Sequence, residues 1–360
     1  MAYYQKRSGK WQARIEWHDV QGKRRTKSKS GFPTKAAAKL WGTENEAKLR
    51  QGVNIGKAIS FYDYFCHWVE TYKENKVSHV SLVRYRTTEK DIQKFFGSTQ
   101  IKDITRTQYQ SFINEFGSTH APSTVQKING FIRAAVQSAI LDDYLLKDFT
   151  KGVALTANKD KIKKVQYLSV DEIKQLTMWL ADNLDPDHTS RYMILTAIYT
   201  GMRLSEIQAL TWQDVDFTNQ TITISKSWDA VEHQFKDTKN ESSKRTIKVN
   251  PELLAYLVQL QGRSTMVFMN VDGDIPTSGA VNKALRTALT ACELKKRGFH
   301  FHSLRHSHVA LLLAQGIDLY AISKRLGHSN LSTTANTYAY LIDEYRDKTD
   351  KQIIQALKAL

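Results

Sequence analysis

FHFHSLRHSHVALLLAQG, residues 299–316, sets four histidines (His300, His302, His306 and His308) within nine positions of one another, around a single arginine, Arg305. Its reading as a metal site, a phosphate site or an ordinary helix decides how the rest of the chain is read. His302 and His306 are four apart and share a face if the stretch is helical. A zinc helix of the HExxH type needs glutamate after the first histidine, where Ser303 stands, and Cys292 is the one cysteine nearby. Arg305 would also repel any cation, so no metal site is expected. Phosphate fits better. A guanidinium fork binds two phosphate oxygens and stays charged, and a histidine three residues away on a helix moves a proton near neutral pH. His302-x-x-Arg305 is therefore a compact unit for a phosphodiester, while His300, His306 and His308 read as structural and receive no chemistry.

Three other stretches extend that unit. ILTAIYTGMRLSEIQALTW (194–212) is an apolar helix, a Thr200-Gly201 turn, Arg203, and a second helix capped by Ser205. An arginine on so tight a turn is held rigidly; its plainer role is pairing with Glu206. KDTKNESSKRTIKV (236–249) sets Lys239 at the tip of a β-hairpin whose strands are TITISKSW (221–228) and KRTIKV (244–249). A lysine there can reach into a site and donate a proton, or simply face solvent. In RLGHSNLSTTANTYAYL (325–341) Gly327 ends a helix, His328 follows, and Ser332 or Thr333 caps a short helix carrying Tyr338. A phenol has a pKa of about 10. Beside two arginines and a histidine its phenolate becomes accessible, and attack on phosphorus gives a covalent intermediate.

Composition agrees with a polyanionic partner. The 360 residues carry a formal net charge of +16. Residues 1–57 hold 14 Lys or Arg against 4 Asp or Glu, an asymmetry that points to nucleic acid. No apolar run is long enough to cross a membrane and no signal-peptide core opens the chain. Two distant cysteines, Cys66 and Cys292, predict no disulfide framework and a reducing cytoplasm.

The chain divides along its length. KWQARIEW (10–17) alternates Trp11, Ala13, Ile15 and Trp17 against Lys10, Gln12, Arg14 and Glu16, the pattern of a half-buried strand. KRRTKSKS (23–30) sets Arg25, Lys27 and Lys29 on one side of a second strand, and a helix over 34–51 starts at Thr34. Such a sheet could lay a basic face in a major groove. After a linker at 51–58, four amphipathic segments (61–72, 80–96, 106–116 and 122–141) predict a helical module. A basic linker over 155–167 carries Lys161, Lys163 and Lys164. LSVDEIKQL then opens a mixed helix-and-strand region with a capping box, Ser169 with Glu172.

TGMRLSEIQAL, DTKNESSKRTI, HSLRHSH and LGHSNLSTTANTY, in this order and spacing, resemble the tyrosine recombinases, specifically the integrases of temperate phages and conjugative transposons. The resemblance implies a multidomain α+β chain. A small β-sheet-plus-helix arm-type DNA-binding domain (1–57) precedes an all-α four-helix core-binding domain (58–157). A mixed α/β, mostly helical catalytic domain (158–346) follows, then a tail helix (347–360) available for exchange between subunits. It implies that Arg203 and Arg305 clamp the scissile phosphate, Lys239 protonates the leaving 5′ oxygen, His302 assists on the nucleophile side, His328 hydrogen-bonds the phosphate, and Tyr338 attacks. Tyr340 and Tyr345 compete with Tyr338, and Lys236 and Lys244 with Lys239. The family's spacing selects Tyr338 and Lys239. Arg14, Arg25, Lys27, Lys29, Lys161, Lys163 and Lys164 are the expected DNA contacts. Expected partners are double-stranded DNA with core and arm sites, three further copies in a tetramer, an excisionase and a host DNA-bending protein; no cofactor, metal or ATP is implied. Two other readings compete: a helix-turn-helix regulator built on 314–338, and a relaxing enzyme like the type IB topoisomerases.

Overall fold

The computed structural model describes residues 2–18, 24–50, 59–162, 165–238, 240–332, 334–335, 337–338 and 357–358. Lys239, Lys163, Lys164, Thr333, Tyr340, Tyr345 and nearly all of the 347–360 tail lie outside them. Two compact units divide the chain, residues 1–163 and 164–360.

In the first unit, β1 (Tyr3–Arg7), β2 (Lys10–His18) and β3 (Arg24–Phe32) form an antiparallel sheet with β2 central. The alternation of 10–17 resolves as expected, with Ala13 and Ile15 fully buried. They face α1 (Lys35–Arg50), whose Ala38 is equally buried and whose first turn is capped by Thr34 Oγ1. Register divides the basic residues. Arg25, Lys27 and Lys29 pair with Trp17, Ile15 and Ala13, so they share the helix-covered face. Arg14 pairs with Tyr3 and Ser28 and belongs to the opposite, open face with Gln5, Arg7, Gln12 and Thr26. The expected DNA contacts of this sheet therefore lie on two faces.

The four predicted helices follow: α2 (Phe61–Tyr72), α3 (His79–Phe96), α4 (Arg106–Thr119) and α5 (Pro122–Leu141). Each begins where its sequence provides a start signal: Ser60, Ser78 and the Thr105–Gln108 capping box for the first three, Pro122 for the last. Aromatic edges lock the core, with Phe61 meeting Phe96 at 5.3 Å and Phe149 at 5.6 Å between ring centroids. The expected linker from 155 is shorter than its composition suggests. Ala154 exchanges hydrogen bonds with Gln110, Thr156 bonds Asn114, and Asn158 reaches Ser118 and His120. Those bonds keep 154–158 on α4.

The second unit is built on α7 (Ser190–Thr200), buried almost all round. Around it pack α6 (Val170–Asp182), which starts at the Ser169–Glu172 capping box, α10 (Ser278–Ala291) and α11 (Phe301–Ala314). The short α8 (Leu204–Gln208) and α9 (Pro251–Val258) complete that layer, and α12 (Leu319–Leu326) follows α11. TITISKSW is not one strand. β4 (Val215–Asp216), β5 (Thr221–Ile224) and β8 (Arg245–Lys248) form one sheet; β6 (Lys226–Asp229) and β7 (Gln234–Asp237) form a separate hairpin inserted between β5 and β8. The expected 221–228/244–249 hairpin is corrected accordingly: β5 pairs with β8, but only over 221–224 and 245–248. Alternation explains the first sheet: Ile222, Ile224 and Ile247 face the core.

Candidate active site

Arg305 organises the site. It lies on the buried face of α11, 2% exposed. Nη1 donates to the Gly201 carbonyl at 2.6 Å and Nη2 to the Leu326 carbonyl at 2.7 Å. Nη2 also lies 2.9 Å from His328 Nε2. A guanidinium cannot accept, so His328 Nε2 accepts and its Nδ1–H donates to Thr334 Oγ1 at 2.7 Å. With both nitrogens engaged, His328 orients Arg305 in this arrangement, and the hydrogen bond expected from it to a phosphate would require it to give up one of these two partners. Burial pushes its pKa down to about 4, with the charge of Arg305 as the next cause. Burial also lowers Arg305, to about 9, and the Arg203 guanidinium adds to that effect. Arg305 stays charged at neutral pH.

Arg203 stands at the turn after α7. Gly201 adopts φ +67° as the cap of α7, and a Cβ there would fall 2.7 Å from His308 Cδ2. Only glycine fits that approach. Arg203, not the expected Ser205, then occupies the N-cap of α8. Its backbone N–H donates to Glu206 Oε2 at 3.0 Å and its Nη1 to Oε1 at 2.7 Å. The pairing with Glu206 and a rigidly held arginine are therefore one feature. Glu206 is 3% exposed and also pairs with Arg245 Nη2 at 2.9 Å. Burial opposes its charge, but the Arg245 hydrogen bond leads the causes that leave the carboxyl below its ordinary value. Arg245 in turn donates to the Arg325 and Ser243 carbonyls.

Tyr338, 1% exposed, packs with Val309, Ala310, Ile322 and Leu326. Its hydroxyl lies 2.8 Å from His306 Nδ1. His302 stands at the solvent-exposed rim, its ring perpendicular to that of His306 at 5.1 Å. The surrounding protein, then Arg305, hold the His302 pKa below the usual imidazole value. His308 is buried: Nδ1 donates to the Ile198 carbonyl at 2.8 Å, and Nε2 accepts from Arg325 Nε at 3.1 Å. Arg325 also donates to the Lys248 and Tyr199 carbonyls. These bonds tie α12 to α7, α11 and β8. Among the described residues, no three His, Cys, Asp or Glu side chains converge as a metal site.

The fold thus gathers Arg203, His302, Arg305, His328 and Tyr338 from segments up to 135 positions apart in sequence. Lys239 lies outside the described residues. The sequence reading missed Glu206 as a hub, Arg245, Thr334 and the contact of His306 with Tyr338. His306 carried a signal, being one helical turn from His302 on the same face. Arg245 carried none, because its partner carboxylate is 39 residues away. Of the expected DNA contacts, Arg14, Arg25, Lys29 and Lys161 are exposed and Lys27 half-buried.

A buried arginine, a second that is half-buried, imidazoles held mostly neutral and one buried phenol suit an anionic ester and a nucleophile that attacks it. The family comparisons agree. The Phage integrase family model matches residues 166–344, an Arm DNA-binding domain model matches 1–49, and a phage integrase N-terminal SAM-like domain model matches 60–117. The chain belongs to the phage integrase family and is a tyrosine-type site-specific recombinase. Within that class it is of the phage and conjugative-element type. It is 26% identical over 353 residues to the integrase of Staphylococcus phage L54a, covering 88% of this chain and 98% of that one. It is 25% identical over 331 residues to the ICEBs1 integrase of Bacillus subtilis, covering 86% and 85%. Solved structures share its fold. The Tn1549 transposon integrase in complex with a circular intermediate DNA superposes with a TM-score of 0.66 at 19% identity, over 82% of this chain and 100% of that one. A lambda integrase dimer bound to a COC′ core site gives 0.63 at 14% identity, over 93% of each chain.

Proposed function

We propose that this recombinase integrates and excises a mobile element by cutting and rejoining duplex DNA through a 3′-phosphotyrosyl link to Tyr338. The observation that carries the reading is the Tyr338 hydroxyl on His306, within reach of the Arg305 charge and inside one protomer. Arg203 and Arg305 hold the non-bridging oxygens. Their fixed charges oppose the negative charge that grows at pentacoordinate phosphorus. His328 orients Arg305, His302 serves proton transfer at the rim, and Lys239 protonates the departing 5′ oxygen. The bond energy stays in the phosphotyrosine, and a 5′ hydroxyl of the partner strand reverses the step.

Residues 1–57 would hold arm sites, 58–157 and 158–346 the core site, with Arg14, Arg25, Lys27, Lys29, Lys161, Lys163 and Lys164 on phosphates. Four copies assemble on DNA, with the 347–360 tail packing on a neighbour, and an excisionase and a host DNA-bending protein set direction. The lambda integrase tetramer bound to a Holliday junction supports that assembly by analogy. No described helix is long and apolar enough to cross a membrane, and we place the work in the bacterial cytoplasm. The test is a nicked suicide duplex copied from the chromosomal junction beside the gene. Wild type forms a covalent protein–DNA band in a denaturing gel and Tyr338→Phe forms none. A band from Tyr338→Phe, or none from wild type, overturns the reading.

A further inference from the structure

We propose that His306 is the proton acceptor for the tyrosine nucleophile, a part distinct from that of His302; this rests on Tyr338 being the nucleophile. Three observations carry it. First, His306 Nδ1 lies 2.8 Å from Tyr338 Oη, within direct transfer distance. Second, Tyr338 is 1% exposed, so bulk water does not reach the phenol to take its proton. Third, His302, the other histidine on this face of α11, contacts the His306 ring edge-on at 5.1 Å and stands at the exposed rim. The geometry forms a series: phenol, His306, His302, solvent.

The reaction balances with the residues already named. The Tyr338 O–H bond breaks and its proton passes to His306 Nδ1, the ring's other proton being on Nε2. The Oη–P bond forms as the P–O5′ bond breaks, and the leaving oxygen takes a proton from Lys239. On strand joining, the incoming 5′ hydroxyl gives its proton back to Lys239 as it attacks phosphorus, the Oη–P bond breaks, and His306 returns its proton to Oη. Burial and the neighbouring His302 and Arg305 hold the His306 pKa down to about 4. The imidazole is thus neutral at working pH, with the Nδ1 lone pair on the phenol, and the unfavourable charged form beside Arg305 makes it a weak base that holds the proton only during the transfer.

The experiment uses the full chain and the same suicide duplex. Tyr338→Phe is the control for the underlying reading; an adduct from it removes that reading, and the present one with it. With that control blank, His306→Ala and His306→Gln should each slow adduct formation about 10²-fold, the lower end of general base catalysis. Retention of the unmodified duplex in a native gel should be unchanged. Glutamine retains a polar contact but takes up no proton, so it also gives the answer if the alanine variant fails to fold. 3,5-Difluorotyrosine incorporated at position 338 supplies a more acidic phenol. It should restore most of the lost rate in the His306 variants and change the wild-type rate little, a recovery that a merely structural role does not produce. Wild-type rates in both variants, or a loss the acidic phenol leaves untouched, overturns the proposal.

Discussion

The molecule contains the same three-residue arrangement twice, in opposite surroundings. On the open face of the N-terminal sheet, Glu16 lies between Arg14 and Arg24. In the catalytic unit, Glu206 lies between Arg203 and Arg245. Water reaches the first group: the Arg14 and Arg24 side chains are 51% and 66% exposed. It is largely excluded from the second, where Arg245 is 7% and Glu206 3% exposed. An exposed pair is screened and adds little to stability. A buried carboxylate between two cations leaves uncompensated charge when it is removed. The sheet can therefore spread binding over many interchangeable cations, while the site depends on each of a few.

Neutralising the two glutamates tests that difference most strongly. Glu206→Gln should lower the unfolding free energy by about 3–5 kcal/mol and weaken adduct formation, because Arg203 and Arg245 lose their common counter-charge. Glu16→Gln should leave the melting temperature within measurement error. Equal effects in a thermal melt of the full chain would refute the contrast.

Acid gives a smaller effect. Burial, then Arg325, push the His308 pKa down to about 3; burial, then Arg305, push His328 down to about 4. An unfolded chain protonates these rings near pH 6.5, roughly. Their contribution is thus present above that pH and is lost as pH falls from about 6.5 towards the folded values, since the unfolded state binds protons first. His308→Asn should flatten the fall in melting temperature across that window. An unchanged slope would mean that other groups drive acid unfolding.

The smallest effect is on the sheet. Arg14→Ala should reduce the slope of log binding constant against log salt by about one, with uniform weakening across DNA sequences. Because Arg14 and Lys29 stand on opposite faces, comparing Arg14→Ala with Lys29→Ala in salt titrations identifies the face that meets DNA. Indistinguishable slopes would mean neither face dominates.

Local features were legible in advance. Ser169 with Glu172, Thr34 ahead of α1, Gly327 after α12 and the alternation of 10–17 each involve residues within a few positions of one another, and all recur in the fold. Misreadings arose where a nearby residue competed for one role. Ser205 is a better cap by type than Arg203, but the Gly201 turn brings the arginine into that position. TITISKSW reads as one strand because its residues favour extension throughout, yet it divides between two sheets after Ile224.

By itself the sequence determined the helices of the first unit and the start of α6, the concentration of positive charge in the first 57 residues, and the order of motifs that marks a tyrosine recombinase. Those depend on periodicity, turn chemistry and composition, which act over short stretches of chain. Only the tertiary structure decided that His306 meets the Tyr338 hydroxyl, that one buried glutamate joins Arg203 to Arg245, and that Arg14 faces away from Lys29. Each of those depends on groups brought together by packing or strand register, and a linear string of residue types does not encode which distant polar groups will share a space without water.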